Sequence, residues 1–299
     1  MSRSETHHQW RISGGRSIAL DRPVLIGILN ATPDSFSDGG RHDDPGRAAA
    51  RASEMIDEGA TIIDVGGEST RPGSSRVSGA EQIRRVAPVI ERLMREHPSL
   101  PISIDTTLAP VARAAIDAGA SIINDVSGGA EDPALLPLGA ERSAGVILMH
   151  RLRAPGEDIY SDRYDDDGRP DYSRDGGVVE AVACALADRA RAAIEAGIAP
   201  ESLVLDPGLG FGKTVAQNFD LIARTSSTLR VQQVVQLSLA PAFLLAGIGA
   251  VMNVMTNRLI WVANKIERIL NAGEDGDVKA MRAELPALEM RRNYAQRAV

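Results

Sequence analysis

The chain has 299 residues, enough for one large α/β domain or two small ones. Its 43% hydrophobic and 24% charged residues are an ordinary globular balance, and with only 3% aromatics the core must be built from Ala, Val, Ile and Leu. A formal net charge of −7 argues against nucleic acid as the main partner, and a single cysteine, Cys184, excludes an intramolecular disulfide and a Cys-rich metal site.

Met1 to Trp10 is polar and lacks the apolar core of a signal peptide. With the lone cysteine this suits a reducing, cytoplasmic setting. The first expected strand is Val24–Leu29. Pro45 starts a helix with an apolar stripe of Ala48, Ala52, Met55 and Ile56, and Gly59 can end it. A strand follows at Thr61–Val65. Ser78 with Glu81 reads as a capping box ahead of Ile83, Val86 and Ile90. Ile102–Asp105 is the third strand, and Val111, Ala114 and Ala115 mark a helix before Gly119. Ile122–Val126 is the fourth strand, and Asp132–Leu138 is the weakest helix signal. After the strand Gly145–Met149 comes Gly156–Gly177, read as a long surface loop whose charges form a solvated face. Val178, Val182, Ala185, Leu186, Ala190 and Ala193 then mark a long helix before Gly197, and Leu203–Asp206 is the sixth strand. Cys184, among Val182, Ala185 and Leu186, reads as packing.

Each strand is a nearly continuous apolar run, the pattern of a parallel strand buried on both faces. Repeated strand–helix–strand units allow a doubly wound sheet or a TIM-type barrel. Polar residues stand at the ends of many successive strands: Asn30, Asp64 to Glu68, Asp105, Asn124 and Asp125, His150 and Asp206. That favours an α/β fold of the TIM (β/α) barrel type, with six clear βα units.

Four constellations carry chemistry. Gly27 to Gly40 (GILNATPDSFSDGG) runs from a strand into a Ser, Asp and Gly loop that suits a lid; Asn30 offers oxygen to a hard cation or caps backbone. Asp64 to Ser74 (DVGGESTRPGS) places two glycines and Arg71 where an anion could be held, or is an ordinary strand-to-helix loop. Asp105, Asn124 and Asp206 can read the hydrogen-bonding edge of a flat heterocycle; singly, each could be a helix cap. Leu205 to Lys213 (LDPGLGFGK) lacks the GxxxxGK[ST] spacing of a nucleotide phosphate loop. Met149 reads as core or as a soft platform against a ring.

Taken together, ILNATPDSFSDGG, IIDVGGESTRPGS, SIDT, IINDVSGG, LMH and LDPGLGFGKTVAQN resemble dihydropteroate synthase, in that family's order, over about residues 16–224. The family joins 6-hydroxymethyl-7,8-dihydropterin diphosphate to p-aminobenzoate, giving 7,8-dihydropteroate and pyrophosphate. The resemblance implies that Asn30 ligates Mg²⁺ at the diphosphate. It implies that Asp105, Asn124 and Asp206 hold the pterin, with Met149 against its ring. Phe36, Thr70, Arg71, Pro72 and Phe211 would shape the p-aminobenzoate pocket. The implied mechanism is dissociative: diphosphate leaves first, and the pocket's carboxylates stabilise the pterin cation that the arylamine attacks.

The family continues with a seventh strand ending in an SRKS-like motif and an eighth ending in RVHD; this sequence contains neither. Lys213 is the nearest surviving cation. The last two barrel units are therefore expected to be atypical or replaced by helices, with a pterin-binding barrel at 1–224 and an atypical helical segment at 225–299. Val231–Thr256 has no charged residue and resembles the start of an uncharacterised family of bacterial membrane proteins. It is long enough to cross a bilayer, and also fits a buried or an amphipathic surface helix. That segment, or a second subunit in a homodimer, could cover the open sheet edges. Besides the synthase, the sequence leaves a catalytically impaired pterin-binding remnant and a methyltetrahydrofolate-dependent methyltransferase open. The TPDSFSDGG loop favours the synthase over the methyltransferase.

Overall fold

The structure is a computed structural model and describes residues 9–21, 23–31, 45–164, 168 and 170–224. The chain divides into two units, Met1–Leu244 and Leu245–Val299, and the described residues all belong to the first. The expected lid loop with Phe36, the junction near Thr225 and Val231–Thr256 lie outside the described residues.

The first described element is an antiparallel hairpin, β1 (Gln9–Ile12) and β2 (Arg16–Ala19), which was not among the expected strands. Its alternation is short: Trp10, Ile12 and Ile18 are buried while their neighbours face out. Then follow β3 (Ile26–Asn30), α1 (Pro45–Asp57), β4 (Ile62–Gly66), α2 (Gly79–Glu96), β5 (Ile102–Asp105), α3 (Ala109–Asp117), β6 (Ile122–Asp125), α4 (Leu135–Glu141), β7 (Gly145–Met149), α5 (Val178–Glu195), β8 (Leu203–Asp206) and α6 (Val215–Ala223). All six expected strands are present, with ends shifted by at most two residues.

Strands β3 to β8 form one six-stranded parallel sheet in chain order, alternating with helices as in a TIM-type barrel. Among the described residues, β3 and β8 are each paired on one side only. Strand alternation splits the core into an outer and an inner layer. Outside, Ile63, Val65, Ile102 and Ile104 pack under Val86, Ile90 and Leu93 of α2 and Val111 and Ala115 of α3. Val146, Leu148, Leu203 and Leu205 pack under Val182, Leu186 and Ala190 of α5. Inside, Ile62, Ile122, Ile147 and Val204 meet Trp10, Ile12 and Ile18 from the hairpin. The hairpin thus plugs the N-terminal end of the strands, and Trp10 Nε1 donates to Ser202 O at 2.9 Å.

Local signals explain the helices. Ser78 caps α2 by accepting from Glu81 N at 3.3 Å. The carboxylate of Glu81 is taken by Arg84 and Arg85, so the expected capping box is realised in its serine half. A reciprocal box stands instead at α6, between Thr214 and Gln217, a helix not anticipated from the sequence. On α5, Cys184 falls opposite the stripe Val182, Leu186 and Ala190 and is exposed, which corrects its reading as packing. The loop read as a solvated surface also differs: Asp158 and Tyr172 are buried within it. No helix among the described residues is long and apolar enough to cross a membrane.

The plug generates a stability prediction. Replacing Trp10, 1% exposed, with Ala removes its large contact surface and its hydrogen bond. Urea unfolding of Trp10→Ala is expected to show a loss of about 3–5 kcal/mol.

Candidate functional site

The strand register brings the expected polar residues onto one face. Asn30 pairs with Gly66, Gly66 with Asp105, and Asp105 with Asn124. Asp206 pairs with Met149, on the same inner face, two residues beyond the level at which Ile147 opposes Asn124. On β4, β6 and β8 the polar residues Asp64, Asn124 and Asp206 each stand two residues beyond an apolar residue of the same inner face, Ile62, Ile122 and Val204. Gly66 keeps the space between Asn30 and Asp105 open. A Cβ there would lie 3.5 Å from Asn30 Oδ1 and 3.6 Å from Asp105 Oδ2.

A residue singled out only as a polar strand end, with no binding role expected of it, lies at its base. Asp64 is buried on the same face as Gly66, and its Oδ2 accepts from Asn124 Nδ2 at 2.9 Å. This bond sets the carboxamide of Asn124, leaving its carbonyl oxygen free for a donor. The signal was present in the sequence, since Asp64 stands two residues before Gly66 and so shares its face. Asp125 is different. It accepts from Ser127 N at 2.7 Å and Gly129 N at 2.6 Å, so it braces its own loop as a cap.

Burial dominates the electrostatics. It pushes the Asp105 carboxyl well above the ordinary range; Asp64, Asp125 and Glu68 push the same way, and Arg151 opposes them. Burial also raises Asp64, against hydrogen bonding from Asn124. Asp206 is raised by burial, against the Gly208 N–H, which donates at 2.7 Å, and the charge of Lys213.

The loop after β4 supplies one wall. Thr70 lines a shallow cleft together with Asp105, Thr106, Val126 and Arg151. Arg71 is exposed and Pro72 half-buried on the same loop, which Gly73 ties to Pro155 O at 2.8 Å. Behind them Glu68 accepts from Val77 N at 2.7 Å and Gln82 Nε2 at 3.0 Å, and Thr106 Oγ1 donates to Gln82 Oε1 at 3.2 Å.

The loop after β8 supplies another. Gly208 has φ +65°, and a Cβ there would collide with the His150 carbonyl, so the close approach of the two loops requires glycine. Lys213 is fully buried: Nζ donates to Gly208 O and Phe211 O, both at 2.8 Å, and lies 3.1 Å from His150 Nδ1. Burial lowers it to about 7, and burial with the Lys213 charge lowers His150 to about 3, so the imidazole stays neutral. The expected surviving cation is thus an internal brace whose donors meet protein acceptors. Phe211 is half-buried on this loop, and Met149 is buried at the inner face beside Asp206. Phe36 lies outside the described residues.

The raised carboxyls fix a pH dependence. Asp105 holds its proton more tightly in the folded chain than at its ordinary value of 3.8. Its contribution to stability is therefore full below 3.8 and is lost as pH rises through the raised folded value. Asp105→Asn removes this loss. The variant is expected to unfold at higher urea than wild type at neutral pH, with the difference vanishing in acid. An equal midpoint at both pH values would count against the buried-carboxylate account.

Comparison with known proteins places this geometry. A family model described as "Pterin binding enzyme" matches residues 26–256, reaching past the junction expected near Thr225. A second, "Protein of unknown function (DUF2721)", matches residues 238–299. The dihydropteroate synthase of Bacillus subtilis is 44% identical over 198 residues, 66% of this chain and 63% of that protein. That of Mycobacterium leprae is 46% identical over 198 residues, 66% of each. The chain thus spans about two thirds or less of the length of these curated relatives. Among solved structures, Xanthomonas albilineans dihydropteroate synthase with 4-aminobenzoic acid matches at 42% identity and a TM-score of 0.64, covering 75% of both chains. The Yersinia pestis dihydropteroate synthase with a sulfonamide drug matches at 32% identity and 0.66, covering 95% of this chain and 99% of that one. With the family model matching most of its length and the acidic face standing in register, the chain belongs to the pterin binding enzyme family.

Proposed function

We propose that this protein is a dihydropteroate synthase, condensing 6-hydroxymethyl-7,8-dihydropterin diphosphate with p-aminobenzoate in folate synthesis. The observation that carries the reading is the inner face on which Asp105 and Asn124 stand in register, with Asp206 on the next strands. Carboxylates and a fixed carboxamide match the N–H edge of a pterin, and an unmatched edge at such a site costs about 1–3 kcal/mol per group. Relatives of this name, 44–46% identical, support the same reading.

In this reading Asp105, Asn124 and Asp206 hold the ring, with Met149 against it. As the C–O bond to the diphosphate breaks, positive charge grows on the ring system and the carboxylates of this face stabilise it. The arylamine then forms the C–N bond and loses a proton. Phe36, Thr70, Arg71, Pro72 and Phe211 shape the arylamine pocket. Mg²⁺ would be held by Asn30, whose Oδ1 neighbours Gly66 beside the Asp105 carboxylate. One carboxamide oxygen suits a cation that also takes substrate phosphate oxygens and water. When bound, that ion neutralises charge on the leaving diphosphate. The barrel is assigned to residues 1–224, a separate segment to 225–299, and the protein to the cytoplasm, with membrane contact through 231–256 and a homodimer as further possibilities.

A second reading is a catalytically impaired pterin binder. The burial of Lys213 favours it, because this cation does not replace those of the missing SRKS and RVHD motifs. Turnover of the pterin diphosphate and p-aminobenzoate by purified full-length chain with Mg²⁺ separates the two. The synthase reading expects turnover that falls on the order of a hundredfold or more in Asp105→Ala and is lost on chelation of the metal. Pterin binding without turnover, in folded protein, would leave the impaired binder.

A further inference from the structure

Arg151 follows His150 on the loop after β7, and the expected site did not include it. Its side chain is 9% exposed and lines the same cleft as Asp105 and Val126. Its Nη2 meets Glu131, while Nη1 is buried and has no hydrogen-bond partner among the described residues. Other arginines here use both arms. Arg113 grips Glu141 at 3.1 and 3.2 Å, and Arg76 grips Glu131 at 3.3 and 2.9 Å. A buried charged donor left unpaired is costly, so such a group calls for a partner.

The anchor of Arg151 is firm. Glu131 is also held by Arg76 and, at 2.6 Å, by Thr107 Oγ1. One end of the guanidinium is therefore fixed and the other is left over. What lies around it is acidic: the charge of Arg151 acts on both Asp105 and Asp125. A phosphate would be repelled by these carboxylates. A neutral acceptor would not.

We infer that Arg151 is a ligand-binding residue whose Nη1 donates to the ring carbonyl of a pterin seated on Asp105 and Asn124. The inference rests on the pterin-binding reading above. Asp105, Asp206 and the free oxygen of Asn124 are acceptors, suited to the N–H groups of the ring. The ring carbonyl needs a donor, and Lys213 is already committed to backbone carbonyls. Arg151 supplies that donor from the wall of the cleft.

Calorimetric titration of the full-length chain tests this with two probes, 6-hydroxymethylpterin and the analogue whose ring carbonyl is replaced by an amine. Wild type is expected to bind the carbonyl compound more tightly. Arg151→Met is expected to weaken that compound by about tenfold or more and the amine analogue far less, so that the preference shrinks. An unchanged preference in Arg151→Met would overturn the inference while leaving pterin binding intact. If neither probe binds wild type, the pterin-binding reading itself fails. Should Arg151→Met not fold, Arg151→Gln carries the same comparison with a shorter, uncharged side chain, and an unchanged preference there overturns the inference equally.

Discussion

The parallel register of β3 to β8 is the constraint on which the rest depends. Because side chains alternate, a strand in this sheet must serve two environments at once. Its outward residues must be apolar to meet α1 to α5. On β4, β6 and β8 the inward residue is apolar toward the N-terminal end, at Ile62, Ile122 and Val204, and polar two residues later, at Asp64, Asn124 and Asp206. Asp64 is buried on this face, and Asp105, partly exposed at the cleft, lies close enough for the two charges to oppose each other. Burial works against their charges, and the chain offsets part of this through the Asn124 amide and the charge of Arg151. The same low-dielectric space is what makes a correctly placed acceptor selective.

The loops are joined to one another as much as to the sheet. Gly73 binds Pro155 across from the loop after β4 to that after β7. Asp158 accepts from Gly212 N at 2.8 Å, and Tyr172 donates to Gly212 O at 2.8 Å, joining the loops after β7 and β8. Lys213 closes the set by binding carbonyls within its own loop and His150 O at 3.3 Å. These bonds give the glycine-rich segment a fixed course although glycine favours none. The cleft is therefore walled by a cross-braced set of loops, with Glu131 and its arginines at the rim.

Much of this was legible in the sequence. The strands were readable because each is an unbroken apolar run, and the polar inner face because Asp105, Asn124 and Asp206 sit where those runs end. The hairpin escaped notice since four-residue strands show too little alternation to stand out. Helix α6 was missed although Thr214 and Gln217 carry its cap.

What the sequence by itself determined is the repeat of strand and helix and the residue types at each strand end, because hydrophobic periodicity and chain order are local properties. Tertiary structure alone decided which groups meet. Asp64 reaches Asn124 across 60 residues of chain, Lys213 turns inward to backbone carbonyls, Cys184 faces out, and Arg151 keeps one arm unpaired among the described residues. Pairing and burial depend on what the other strands and loops bring to the same space, and no local pattern encodes that.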